Sequence, residues 1–479
     1  MREAVLRTRE SADTQHGGRA FPAMAGLVLA GALVLHSSAS LVLRGMFGDS
    51  SWWLVDMLSF REFVLDVPAR WATSFLQQAP TELALKLGMM DLIGLAMLYS
   101  ATMELLPLAF VAGCYFLLPK GEKAFFIFPL IFYLAGAEAA AFEPITEGKS
   151  ATAYFWFLLF LIVFRAKSPV WQMVTLATAI PAVQSDEVMV FLAPVLVFAA
   201  ARRAAAEATK RSRLIFRFMA AWFGIVTMAQ IGFTLFHPYE GGRGAVIAST
   251  LAMKFIGTRE GVNVPTILGM LAIVMMVVLA RLGTPTARAS MRRLSWILVC
   301  VFAVTCLAAV IGTAKTSFLF QPSLQAEARY YGGFISLPLA AIFLATHRRR
   351  AALVPWTRPA IVATLACLAL GQFGWHAVGL RYWAEFLDRF GEILASHHGM
   401  VSLSEAEGAG LKPMSWTWTY PSLSIVLSPN GQVASMIIPP RDVRWQPFDP
   451  TDPRRLPQSR WFDTNIYRDT LVSDGHTPR

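Results

Sequence analysis

The chain has 479 residues, 55% of them hydrophobic and only 15% charged, with a net charge of +11 and a mean hydropathy of +0.50. A soluble globular protein carries about 25% charged residues, so this composition argues against one and points to lipid as the main solvent. The positive balance does not signal nucleic acid, because Lys and Arg cluster in short groups between apolar runs, as the positive-inside bias dictates.

Residues 1–22 are polar and basic and lack a small-residue cleavage site, so they are expected as a cytoplasmic tail before a retained first helix. A helix needs about 20 residues to cross roughly 30 Å of hydrocarbon. Apolar runs fall at about 23–43, 88–118, 124–142, 151–164, 169–183, 188–201, 214–236, 265–282, 294–313, 331–346 and 359–376. They predict a polytopic α-helical membrane protein with about eleven transmembrane helices between 23 and 376. Reading 88–118 as one span, bent near Pro107, places 22 Lys and Arg on the cytoplasmic side against 10 in the opposite loops. Splitting it would turn the basic segments from Arg202 onward to the outside, so a single span is expected. Cys114, Cys300, Cys306 and Cys367 all lie in apolar runs, which implies neither a disulfide framework nor a cysteine metal site.

The first outer loop, 45–87, is the longest. Its apolar spacing around Trp52, Trp53, Phe60 and Phe63 predicts amphipathic interfacial helices, broken at Pro68 and Pro80. Asp49, Asp56, Glu62 and Asp66 stand on the polar side, either as a solvated face or as chemistry. The arms 151–164, 169–183 and 188–201 are short, and they meet charged turns at Glu143 to Lys149 and at Asp186-Glu187. Charged, non-helical backbone at membrane depth is tolerated only against protein or a watery cavity, so an acid-lined recess open to the outside is expected. Gly241, Gly242 and Gly244 around Arg243 would let a backbone approach an anion, or form an ordinary loop. Lys315, Arg329 and Tyr330 precede a late helix, where Arg329 suits a phosphate or anchors the helix end at headgroups.

Residues 377–479 are too polar to enter the membrane and predict a small outer α+β domain. It would comprise a helix over 380–395, then strands in SWTWTYPSLSIVLS and QVASMIIPP joined as a hairpin at Pro429-Asn430-Gly431, and a loop-like terminal wrap. No P-loop and no dinucleotide-binding glycine motif is present.

Four features together resemble the polyprenyl-phosphate-dependent membrane glycosyltransferases of the GT-C superfamily. They are the acid-bearing outer loop after the first span (Asp49, Asp56, Glu62), the acidic turns (Glu143/Glu147 and Asp186/Glu187), the sequence AEARYYGGFISLPL, and a partly β outer domain at the end. One departure is the wide spacing of Asp49 and Asp56, seven residues apart. The resemblance implies an inner-membrane enzyme of a bacterial envelope, with a polyprenyl-phosphate sugar donor and a glycan, lipid or protein acceptor. Asp49, Asp56 or Glu62 would supply the general base. Arg329, with Tyr330, Arg243 or Lys315, would meet the lipid phosphate. Glu143, Glu147, Asp186 and Glu187 would orient sugar hydroxyls or hold a divalent cation such as Mg or Mn; no other cofactor is required. Three other classes stay open: a polysaccharide polymerase or ligase, a transporter or flippase using intramembrane Lys86, Asp91, Glu104 and Glu138, and a non-enzymatic envelope assembly protein.

Overall fold

The computed structural model describes residues 2–65, 70–138, 147–236, 325–348, 359–414, 416–439 and 448–474. Helix α1 (Arg2–Leu41) contains the first apolar segment, Ala20–Leu41. A short 3-10 turn, Arg44–Met46, leads through Gly48 at positive φ into α2 (Asp49–Phe60). Helix α3 (Trp71–Lys86) follows, and these two are the helices expected in the first outer loop. Pro80 does not break α3 but lies inside it. A buried polar stripe on this helix, with Thr73, Gln77 and Thr81 four residues apart, faces the interior.

Helix α4 (Leu92–Leu117) is a single helix with Pro107 inside it, capped by Asp91, whose side chain accepts from the Ile93 N–H. The run predicted over 124–142 is instead broken. A 3-10 segment (Lys120–Phe126) precedes α5 (Ile127–Phe132) and a π-turn (Tyr133–Ala137) that ends at Glu138. π-turns of this kind interrupt the regular helical ladder and recur at functional sites. Helix α6 (Glu147–Phe160) also ends in a π-turn, Leu161–Arg165. Helix α7 (Pro169–Ala182) has Ser168 as its cap and Pro169 in its first turn; at 14 residues it reaches only about 21 Å. Helices α8 (Met189–Ala206), α9 (Lys210–Phe236), α10 (Gln325–Arg348) and α11 (Pro359–Ser396) complete the described bundle.

Six helical segments among the described residues are long and apolar enough to cross a membrane: Ala20–Leu41, Leu92–Leu117, Glu147–Arg165, Met189–Ala206, Lys210–Gly232 and Ile361–Ser396. The chain is thus a helical membrane protein. The runs expected at 265–282 and 294–313 lie outside the described residues.

Helix α11 is continuous where the sequence predicts a span and then a separate helix. It is followed by β1 (Gly399–Ser402), α12 (Leu403–Gly408), α13 (Tyr420–Leu427), β2 (Ser435–Ile438) and α14 (Asn465–Ser473). The expected hairpin is not formed. Residues 420–427 are helical, and β2 pairs in parallel with β1, Met400 opposite Met436. Two apolar cores result. One fills the bundle. The other joins α2 and the near ends of α3 and α4 to Trp383, Phe386, Phe390 and the segment after α11. Trp383 donates to the Val42 carbonyl, Trp461 to that of Met89 and the Ser459 hydroxyl to that of Leu58, which ties α11 and the segment after it to α2 and to the turns before α2 and after α3.

Candidate functional site

Two buried polar groupings lie at the end of the bundle that carries α2 and α3. The first is built on Arg70, the residue just before α3. Its guanidinium donates three hydrogen bonds to Glu187, at 2.9, 3.0 and 3.1 Å, and lies 3.7 Å from Glu147 and 3.9 Å from Asp186. All four side chains are buried. The α3 face holds the turn that presents the acids: Thr73 donates to the Ser185 carbonyl and Trp71 to the Gln184 side chain. Asp186 accepts from the Val188 N–H at 2.8 Å. Because Glu187 takes the guanidinium's donors, burial and the adjacent Glu187 charge outweigh the pull of Arg70 on Asp186 and push its carboxyl up to about 7.

The second grouping runs through the interior between α1, α4, α6, α11 and the π-turn. His36 Nδ1 donates to Glu104 at 2.5 Å, while its Nε2 lies 2.9 Å from the Tyr133 hydroxyl and 3.5 Å from Glu138. Glu138 is 2.6 Å from the Lys149 ammonium and 2.9 Å from His376 Nε2. Arg44 donates to His376 Nδ1 at 3.2 Å and stands 3.8 Å from Glu104. Ionisable side chains at this depth are rare, and they persist only when paired. Here Arg44 and Lys149 balance Glu104 and Glu138.

Tyr99 stands near the first grouping. It is fully buried in α4, within electrostatic reach of both Glu147 and Asp49. Its hydroxyl has no hydrogen-bond partner among the described residues, and neither do Gln77 Oε1, Thr81 Oγ1 and Glu147 Oε1. More than nine in ten buried polar groups are satisfied in folded proteins, and each one left unmet costs about 1–3 kcal/mol.

Of the acids predicted from sequence, Glu147, Asp186 and Glu187 do converge, on Arg70. Asp49 opens α2, half-buried and within electrostatic reach of Tyr99. Asp56 lies two turns further along α2, half-buried, and Glu62 is exposed in the turn that follows it. Arg329 and Tyr330 belong to the first turns of α10. That helix enters the bundle through Gly332 and Gly333: a Cβ on the first would come within 3.2 Å of Phe132, and one on the second would strike Val188. Glu143, Arg243, Lys315 and Asp66 lie outside the described residues. Lys86 is exposed and pairs with Glu82, and Asp91 is an exposed helix cap, so neither joins an interior path.

The residues around Asp186 and Glu187 do not fit a divalent cation. The guanidinium of Arg70 stands against them, and no three His, Cys, Asp or Glu among the described residues are arranged to hold a metal ion. Arg44, Arg70, Lys149, His36 and His376 were not singled out from sequence. The signal that could have found them is a titratable side chain inside or beside an apolar run. No family model matches the chain, and no curated protein or solved structure is significantly similar to it.

Proposed function

We propose that the chain is a membrane glycosyltransferase of the GT-C type, which moves a sugar from a polyprenyl-phosphate donor to a hydroxyl of a glycan, lipid or protein acceptor at the outer face of a bacterial inner membrane. The observation that supports this reading is that Tyr99 lies within electrostatic reach of both Asp49, from the first loop, and Glu147, a member of the Arg70 grouping. In the reaction, the acceptor oxygen attacks the anomeric carbon while the Asp49 carboxylate takes its proton. The bond from the anomeric carbon to the phosphate oxygen breaks, and the lipid phosphate leaves with the electron pair. Cations at this end of the bundle, with Arg329 the one implied by the resemblance, offset the charge that develops on it. The acids around Arg70 carry one more role, accepting hydrogen bonds from sugar hydroxyls.

The test is sugar transfer by purified protein from an undecaprenyl-phosphate-linked hexose to envelope fractions. Asp49→Asn is expected to lower the rate about 10²–10⁴-fold with expression unchanged. Full activity in Asp49→Asn, Asp56→Asn and Arg329→Ala alike rules the reading out.

One observation favours a second reading, a proton-coupled carrier: the His36, Glu104, Glu138 and His376 chain inside the bundle. Against it, the opposite end of the same bundle is filled by the packed rings of Phe125, Phe160, Phe164 and Phe343, at centroid distances of 5.1–5.9 Å. Uptake into liposomes driven by a pH gradient, without sugar transfer, would establish the carrier.

A further inference from the structure

Three mutually packed helices, α3, α4 and α6, carry buried hydrogen-bonding atoms that are unmet among the described residues, close to the Arg70 grouping. Gln77 of α3 donates from its amide nitrogen to Ser150 of α6 at 3.1 Å, which leaves its carbonyl oxygen without a partner among the described residues. Thr81 follows one turn later on the same stripe, its hydroxyl also unmet. Glu147, one turn before Ser150, holds Arg70 through one oxygen and leaves the other unmet, and Tyr99 completes the set from α4. All five side chains are buried. Their free chemistry is two strong acceptors, an amide oxygen and a carboxylate oxygen, and two hydroxyls that donate or accept.

We propose that Gln77, Thr81, Tyr99 and Glu147 form a subsite for a single sugar ring, whose adjacent hydroxyls donate to Gln77 and Glu147 and exchange hydrogen bonds with Thr81 and Tyr99. The chemistry selects among ligands. A phosphate brings no donors at neutral pH and would be repelled by Glu147, whereas a polyol supplies several donors at ring spacing. An apolar tail would leave every one of these atoms unsatisfied. The subsite rests on the glycosyltransferase reading only for the lipid that carries the sugar; the preference for a hydroxylated ring follows from the side chains themselves. It assigns to α3, an outer-loop helix, the task of reading the sugar, and leaves the proton transfer to α2.

The test compares binding of undecaprenyl phosphate with that of the same lipid bearing one hexose, using full-length protein in nanodiscs and native mass spectrometry. The wild-type protein is expected to prefer the glycosylated lipid by about tenfold or more, and Tyr99→Phe and Gln77→Ala each to lose about tenfold of that preference. Tyr99→Phe removes one oxygen and keeps the ring packing, so it separates recognition from folding; both variants should bind the bare lipid as the wild type does. A wild-type protein with no preference between the two lipids overturns the subsite, as does a Tyr99→Phe variant with the preference intact, and the unmet atoms then serve water alone. Sugar preference without transfer to any acceptor sinks the glycosyltransferase reading and keeps the subsite. Transfer with unchanged KM in both variants does the reverse.

Discussion

Among the described residues, Arg70 is the only cation in contact with three buried carboxylates, and its position defines what the acids can do. Removing one partner of a buried ion pair leaves charge without compensation, at a cost of about 3–5 kcal/mol. Arg70→Ala is therefore expected to unfold at distinctly lower temperature in detergent than the wild type. Arg70→Lys should recover only part of the loss, because an ammonium cannot reproduce the fork that grips Glu187. Asp186 gives the same grouping a pH dependence. Its folded pKa, about 7, lies above the ordinary 3.8, so the folded state binds its proton more tightly than the unfolded state does. That contribution is fully present below the unfolded value and is lost as pH rises through about 7. Asp186→Asn, which keeps the acceptor for the Val188 N–H, should flatten the fall in melting temperature on going from acid to neutral pH. An unchanged slope would mean that Asp186 does not titrate in this range.

At the scale of elements, the site depends on a turn that carries no chemistry of its own. Gly45 donates its N–H to the Ser100 hydroxyl at 2.7 Å, and a Cβ there would stand 2.4 Å from the Ser100 Cα. This contact seats the Arg44–Met46 turn on α4 next to Tyr99, and so positions Arg44 on one side and Asp49 on the other. Gly45→Ala must push the turn away, which costs about 1–3 kcal/mol by overpacking. Thermal unfolding should show that loss, and the proposed sugar transfer should fall although no functional group has been removed. The sequence made some of this legible. The helices of the first loop follow from their apolar spacing, and the acids at 147, 186 and 187 stand out because charge is conspicuous beside an apolar run. Arg70 does not stand out, since a lone arginine before a helix reads as a solvated end. Residues 420–427 read as a strand because Ile425 and Val426 are β-branched and polar residues alternate with them. Pro421 in the first turn and the Ser424 and Ser428 hydroxyls, which bond back to carbonyls four residues earlier, instead suit a helix buried on all sides, where alternation has no meaning.

Across the whole molecule, polarity divides the bundle along its length. The end beneath α2 and α3 holds the buried paired charges and the unmet hydroxyls, and the other end is filled by packed aromatic rings. The segment after Ser396 belongs to that arrangement as packing, not as an appendage. Phe47 lies against both Trp383 and Trp416, Trp52 meets Trp418, and Arg61 and Arg460 both lie over the Trp461 ring. Burying one such aromatic side chain contributes about 1.5–3 kcal/mol, and removing residues 397–479 would uncover Phe386, Phe390 and the inner face of α2 together. A chain ended at Ser396 is therefore expected to lose its single symmetric peak in size-exclusion chromatography and to melt early. If the segment were a tethered acceptor-binding module, the shortened protein would stay monodisperse, keep its melting temperature and still bind the glycosylated lipid. The two outcomes differ because α2 bears Asp49: a segment that holds α2 in place cannot be removed without disturbing the proposed base, whereas a module that merely presents an acceptor can.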